Sequence, residues 1–207
     1  MENRITEYAL NNFVAPKLAQ LTQKSAPEVI SQVQQHQYWI PNFILTSMLR
    51  IKVSDENQKY VINILRRVSN AINEYESGRN MLESYLSVKR ESISKYFLSV
   101  FHFENSITQT YQALMLLKTM SNIEKLFEKE DGSLLQRINN IYNHIKHLNE
   151  RIENSKIPEG YTIPMWITNF GLESPNAEVN FEEFASCLIE LGTCANKLSN
   201  PNLDLNR

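Results

Sequence analysis

Arg137, Asn140, Asn143, His144, Lys146 and His147 crowd into the last three turns of one predicted helix, Leu134 to His147. An imidazole titrates near neutrality, so it can give or take a proton at physiological pH. A helix that only packs has little use for two of them beside its core. The chemistry these residue types carry is proton transfer, with an arginine alongside to hold negative charge.

Spacing decides which of them can act together. Leu134, Ile138, Ile141, Ile145, Leu148 and Ile152 repeat at intervals of 4, 3, 4, 3 and 4. At about 100° per residue they fall within roughly 40° of one axis, which must face the core. Arg137 and His144 then lie about 60° and 80° to one side of that axis, two turns apart at the border of core and solvent. Asn140, His147 and Arg151 lie further round on the same side, while Asn143, Lys146 and Glu150 point away from the core. The structural alternative is a boundary Arg and His whose stem and ring are simply half buried.

A second anomaly sits on the preceding long helix. Its apolar stripe reads Ile93, Phe97, Val100, Phe101, Ile107, Tyr111 and Met115, and Glu104 falls inside it. A buried carboxylate without a partner costs several kcal/mol or stays protonated. Glu104 is therefore expected to meet a cation, with Arg137 or His144 of an antiparallel neighbour the obvious choice. The alternative is a helix rotated so that Glu104 reaches water.

At these residues the chain resembles a HEPN domain, a small and usually dimeric helical bundle of prokaryotic toxin–antitoxin and phage-defence systems. Its ribonuclease members carry an Arg, four to six residues and then a His on a late helix, which Arg137 and His144 match at the outer limit. Tyr142 and Asn143 followed by Lys146 and His147 resemble a stretch of some divergent members. Ile138 departs from the pattern, since a polar residue usually follows the Arg. The resemblance covers about residues 55 to 198 in helix order. It implies a homodimer, an RNA substrate or ligand, an antitoxin protein as partner, and metal-independent RNA cleavage or a catalytically decayed version of it. Arg137 would stabilise the phosphorane-like transition state and His144 would be the general acid or base; Glu104 joins the catalytic set as the buried partner expected of them from helix geometry, not from the resemblance. Asn140, Asn143, Lys146 and His147 would support RNA binding. A non-catalytic helical interaction or dimerisation module remains the other reading.

No metal or cofactor is expected. His144 and His147 with Glu150 have helical ligand spacing, but a bundle-type di-metal site needs Glu-x-x-His motifs, and the chain has none. A Gly-rich phosphate loop and a nucleophile elbow are also absent from the sequence. Lys and Arg number 21 against 23 Asp and Glu, a net charge of -2, which argues against a standing grip on a nucleic-acid backbone. No apolar run reaches the roughly 18 residues of a membrane span, so no membrane partner is expected. The start of the chain lacks the layout of a signal peptide. Cys187 and Cys194 are two helical turns apart, too far to bond to each other, and read as reduced thiols of a cytoplasmic protein.

The elements that position these residues form an all-α up-down bundle in a single domain. The 42% hydrophobic content suffices for its core. A first helix is expected from Arg4 to Leu21. A second opens at Ala26–Pro27–Glu28 with Ser25 as its cap, and Pro41 breaks or kinks the chain. These N-terminal helices, 1–53, pack on a core bundle of about four helices, 55–198. Ser54 or Asp55 caps the next helix, whose stripe is Val61, Ile64, Val68, Ala71, Tyr75, Leu82 and Tyr85. Gly78 interrupts that stripe and marks the close approach of a neighbour. After a break near Lys89–Ser92 the next helix runs from Ile93 to Met120. Residues 154–177 form an irregular loop rich in Pro and Gly. A short strand within Tyr161–Thr168 pairs with one near Glu178–Phe181 as a small hairpin. Asn180 with Glu183 caps a last helix, Phe181 to Leu198.

Overall fold

Two long helices, α3 (Asp55–Ser87) and α4 (Ile93–Met120), lie antiparallel, and the other elements are fitted around them. The computed structural model describes residues 2–33, 36–49, 55–87, 92–123, 126, 131–154 and 162–200. Ser54 and the 88–91 connection lie outside these residues, as does the 155–161 part of the irregular loop.

Small residues bring the pair together. Ser99 and Ser106 are fully buried and donate their hydroxyl hydrogens to the Gly78 and Ala71 carbonyls, each at 2.8 Å. Those bonds satisfy the hydroxyls inside the apolar seam, where an unpaired one is costly. The Phe103 ring lies over Gly78, 3.1 Å from where a Cβ would stand. The close approach expected at Gly78 is therefore made by an aromatic face. The expected α3 stripe, Val61 through Tyr85, is buried throughout.

The α4 stripe is turned from its expected position. Tyr96, Val100, Phe103, Ile107, Ala113 and Leu114 face the core, whereas Phe97, Phe101 and Met115 are exposed. Apolar residues occur almost all round this helix, so periodicity alone does not select a face. The buried serines do, because their hydroxyls need the α3 carbonyls.

Helix α7 (Phe181–Ser199) packs against α3. Tyr75 meets both Phe103 and Phe184 edge-on, with centroids 5.7 and 5.6 Å apart. Asn180 caps α7, its Oδ1 accepting from Glu182 N at 2.8 Å. Before it runs a three-stranded antiparallel sheet: β1 (Trp166–Ile167), β2 (Gly171–Ser174) and β3 (Ala177–Asn180), in that order. The expected partner strands are β1 and β3, but β2 lies between them and bonds both.

The N-terminal region departs most from expectation. Helix α1 (Glu2–Phe13) stops early, and only a 3-10 turn at Leu18–Gln20 follows. No helix opens at Ala26–Pro27–Glu28; residues 21–29 are irregular. They nevertheless bury Leu21, Ala26 and Val29. Side chains of other elements supply the hydrogen bonds a helix would have made. The Glu76 carboxylate accepts from Val29 N and Ile30 N at 2.6 and 3.0 Å, and Arg79 donates to the Ala26 carbonyl. Asn169 Oδ1 accepts from Thr22 N and Gln23 N. Helix α2 (Trp39–Leu49) then starts, with Pro41 in its first turn, where no intrahelical N–H is missed. Pro41 therefore neither breaks nor kinks the chain.

Candidate functional site

Helix α5 (Leu134–Lys146) begins at Ser133, whose hydroxyl accepts from Gln136 N at 3.1 Å. It ends at His147, and a separate short helix, α6 (Leu148–Glu153), follows. The expected stripe is thus interrupted. Ile138 and Ile141 are buried, but Ile152 is exposed.

Arg137 and His144 do share one flank, at different depths. His144 is buried, with 5% of its surface exposed, and makes no hydrogen bond or ion pair among the described residues. Burial, followed by the positive charge of Arg151, pushes its pKa below the usual imidazole value. The neutral form is favoured, which leaves one ring nitrogen as acceptor and the other as donor.

Arg137 sits at the rim, clamped by the start of α7. Its two terminal nitrogens donate to both oxygens of Glu183, at 2.9 and 2.8 Å. One also donates to the Glu178 carbonyl on β3 at 3.2 Å. Its Nε is buried without a partner. The bidentate pair raises the Arg137 pKa and lowers that of Glu183, which the Asn180 backbone N–H also helps to keep ionised. Glu183 therefore serves the cap expected of it and an ion pair that the sequence does not announce.

Glu104 is not brought to Arg137 or His144. Its surface is partly covered, it makes no ion pair or hydrogen bond among the described residues, and burial raises its pKa to about 7. Helix geometry gives the reason. Tyr142 is the α5 residue stacked on α4, its ring 4.0 Å from that of Tyr111. Arg137 and His144 lie about 140° and 160° round α5 from Tyr142, on the side turned from α4.

The remaining predicted residues are spread around α5. Asn143 donates to Asn139 Oδ1 at 3.2 Å, Lys146 is exposed, and His147 Nδ1 lies 3.1 Å from Glu150 Oε2. Arg137 and Asn140 do line one open depression of about 450 Å³ with Gln136, Glu173, Asn176 and Glu178. Glu173 and Glu178 face each other across β2 and β3, but Lys17 pairs with Glu173 at 2.6 Å, so Glu178 is the carboxylate of the sheet wall without a lysine partner among the described residues. A larger groove of about 620 Å³ lies between α2 and α3, walled by Phe43, Ile44, Met48 and Ile62. Among the described residues its charged lining residue is Lys59.

No group of three or more His, Cys, Asp or Glu suited to a metal ion occurs among the described residues. No helix among them is long and apolar enough to cross a membrane. Both cysteines are free, and burial pushes the Cys187 thiol up to about 12, far from a reactive thiolate.

Sequence reasoning missed the outer face of α4. Ser94, Phe97, Leu98 and Phe101 are exposed there, and Asn105, Thr108 and Gln112 continue the face without a charged residue. Its signal was the excess of apolar residues around α4, more than one core stripe can use.

Comparison with protein families, with curated proteins and with solved structures finds no match for this chain.

Proposed function

We propose that this chain is a non-catalytic helical interaction module that pairs with a second copy of itself through the outer face of α4. The carrying observation is that face: Phe97, Leu98 and Phe101 are 42%, 48% and 54% exposed side by side on one of the two central helices. Contiguous exposed apolar surface bordered by polar groups marks an interaction site, and interface centres are depleted in charge. A second copy fits because the face complements itself. In an antiparallel pairing centred between Ser99 and Val100, Leu98 of each copy meets Phe101 of the other, and Ser94 meets Asn105. Asn105 has an acceptor to offer, since among the described residues only its amide nitrogen is engaged, 3.4 Å from Glu74.

The second reading is a HEPN-like protein that binds or cleaves RNA in a toxin–antitoxin or phage-defence setting. What favours it is that Arg137 and Asn140 line one open depression. Against it, the Arg137 fork is taken up by Glu183, and Glu178 on the wall of the depression would repel phosphate.

Sedimentation equilibrium at micromolar concentration tests the first reading. A dimer that becomes monomeric in Phe97→Ser/Phe101→Ser, with unchanged circular dichroism, is expected; a parent monomeric throughout overturns it. RNA cleavage and growth arrest on expression test the second, and neither is expected. Cleavage abolished by Arg137→Ala and by His144→Ala would put the second reading first.

A further inference from the structure

Glu104 stands three residues after Phe101 and seven after Phe97, so it lines up with both on the border of the outer α4 face. Its carboxyl is partly covered and has neither ion pair nor hydrogen bond among the described residues. We infer that Glu104 makes the pairing of two copies through α4 pH-sensitive, because the carboxyl enters the contact protonated and leaves it ionised. The inference rests on the self-pairing proposed above.

Among the described residues, none pairs its charge with Glu104. On the α3 side, His102 and Glu74 bind each other at 2.7 Å, and the Arg67 guanidinium is held by Gln109 Oε1 at 2.8 Å. On its own helix, Tyr96 feels the Glu104 charge, and its hydroxyl accepts from Ile167 N. Lys95 lies on the opposite side of α4 by helical spacing. The α5 face turned to α4 meets it through the uncharged ring of Tyr142. Lys146, the cation nearest that side of α5, is exposed, and only burial acts on the Glu104 pKa. His144 titrates too, but on the flank of α5 turned from α4.

A second copy laid on Phe97 and Phe101 withdraws more water from Glu104. A carboxylate without a partner resists this, whereas a carboxylic acid accepts it. Each copy must then bind one proton to pair once the pH exceeds the pKa of Glu104 in the single chain. Association weakens as pH rises through that value, the direction linkage requires when the complex holds the extra protons.

The experiment is sedimentation equilibrium of the full chain at pH 6 and pH 8, beside Glu104→Gln and His144→Gln. The parent dissociation constant is expected to rise at least about tenfold from pH 6 to pH 8. Glu104→Gln should bind alike at both values, and His144→Gln should keep the parent's dependence. A parent dimer equally tight at both values overturns the Glu104 inference and leaves the self-pairing standing. So does a dependence that survives in Glu104→Gln or vanishes in His144→Gln. A parent monomeric at both values overturns the self-pairing itself, and this inference with it.

Discussion

Arg137 is the residue where position and role part company. Its place on the α5 flank follows from spacing alone, because a helix fixes direction whatever surrounds it. Its partner does not, since Glu183 lies 46 residues away and meets it only once the sheet has turned the chain onto α7. A bidentate Arg–carboxylate pair fixes geometry as well as adding energy, and a lysine cannot reproduce its fork. The pair is partly exposed, with 25% and 44% of the two side chains open to water, so its worth is modest. Arg137→Lys should cost roughly 0.5–1 kcal/mol of stability, less in high salt. Urea denaturation at low and high ionic strength checks this. A cost unchanged by salt would mean that Arg137 acts through packing of its stem rather than through Glu183.

At the scale of elements, the helices that carry strong periodicity were legible and the segments held by other segments were not. The buried stripe of α3 could be read because its apolar residues recur on one face only. The 21–33 segment reads as helix from Ser25 and Pro27, yet Glu76, Arg79 and Asn169 take over its backbone groups. Nothing local to residues 21–33 encodes those partners. Glu104 was legible as an oddity of α4, whereas its separation from Arg137 depends on which side of α5 meets α4. The packing of the 21–33 segment on α7 is testable at Gly192. A Cβ there would stand 2.6 Å from Val33 Cγ1, closer than real contacts allow. Gly192→Ala should therefore destabilise by about 1–3 kcal/mol despite its better helix propensity. Adding Val33→Ala should recover part of that loss in a double-mutant cycle by thermal denaturation. Simple additivity of the two costs would show that the segment does not rest on Gly192.

For the whole molecule, Glu104 on α4 and His144 on α5 act on stability in opposite directions. Glu104 ordinarily titrates at 4.5 and does so at about 7 in the folded chain. Below pH 4.5 it is protonated folded and unfolded alike, so its site imposes no charge penalty. As pH rises from there to 7, the unfolded chain releases the proton and the folded chain keeps it, and stability falls. At about 1.4 kcal/mol per pH unit the loss is at most roughly 3 kcal/mol, and the partial exposure of Glu104 reduces it. His144 is lowered from 6.5, so its neutral burial stabilises above that pH and loses ground as pH falls below it. Between pH 4.5 and 6.5 the two offset each other, and the parent should show a shallow pH profile there. Glu104→Gln removes one side of the balance. Measured by urea denaturation at concentrations that keep the chain monomeric, it should exceed the parent by about 1–3 kcal/mol at pH 8. The gap should close near pH 4, leaving the variant with a steeper loss below pH 6.5 than the parent shows. A gap of the same size at pH 4 and pH 8 would mean that the glutamine packs better than the carboxyl, and that the Glu104 proton has no part in folding.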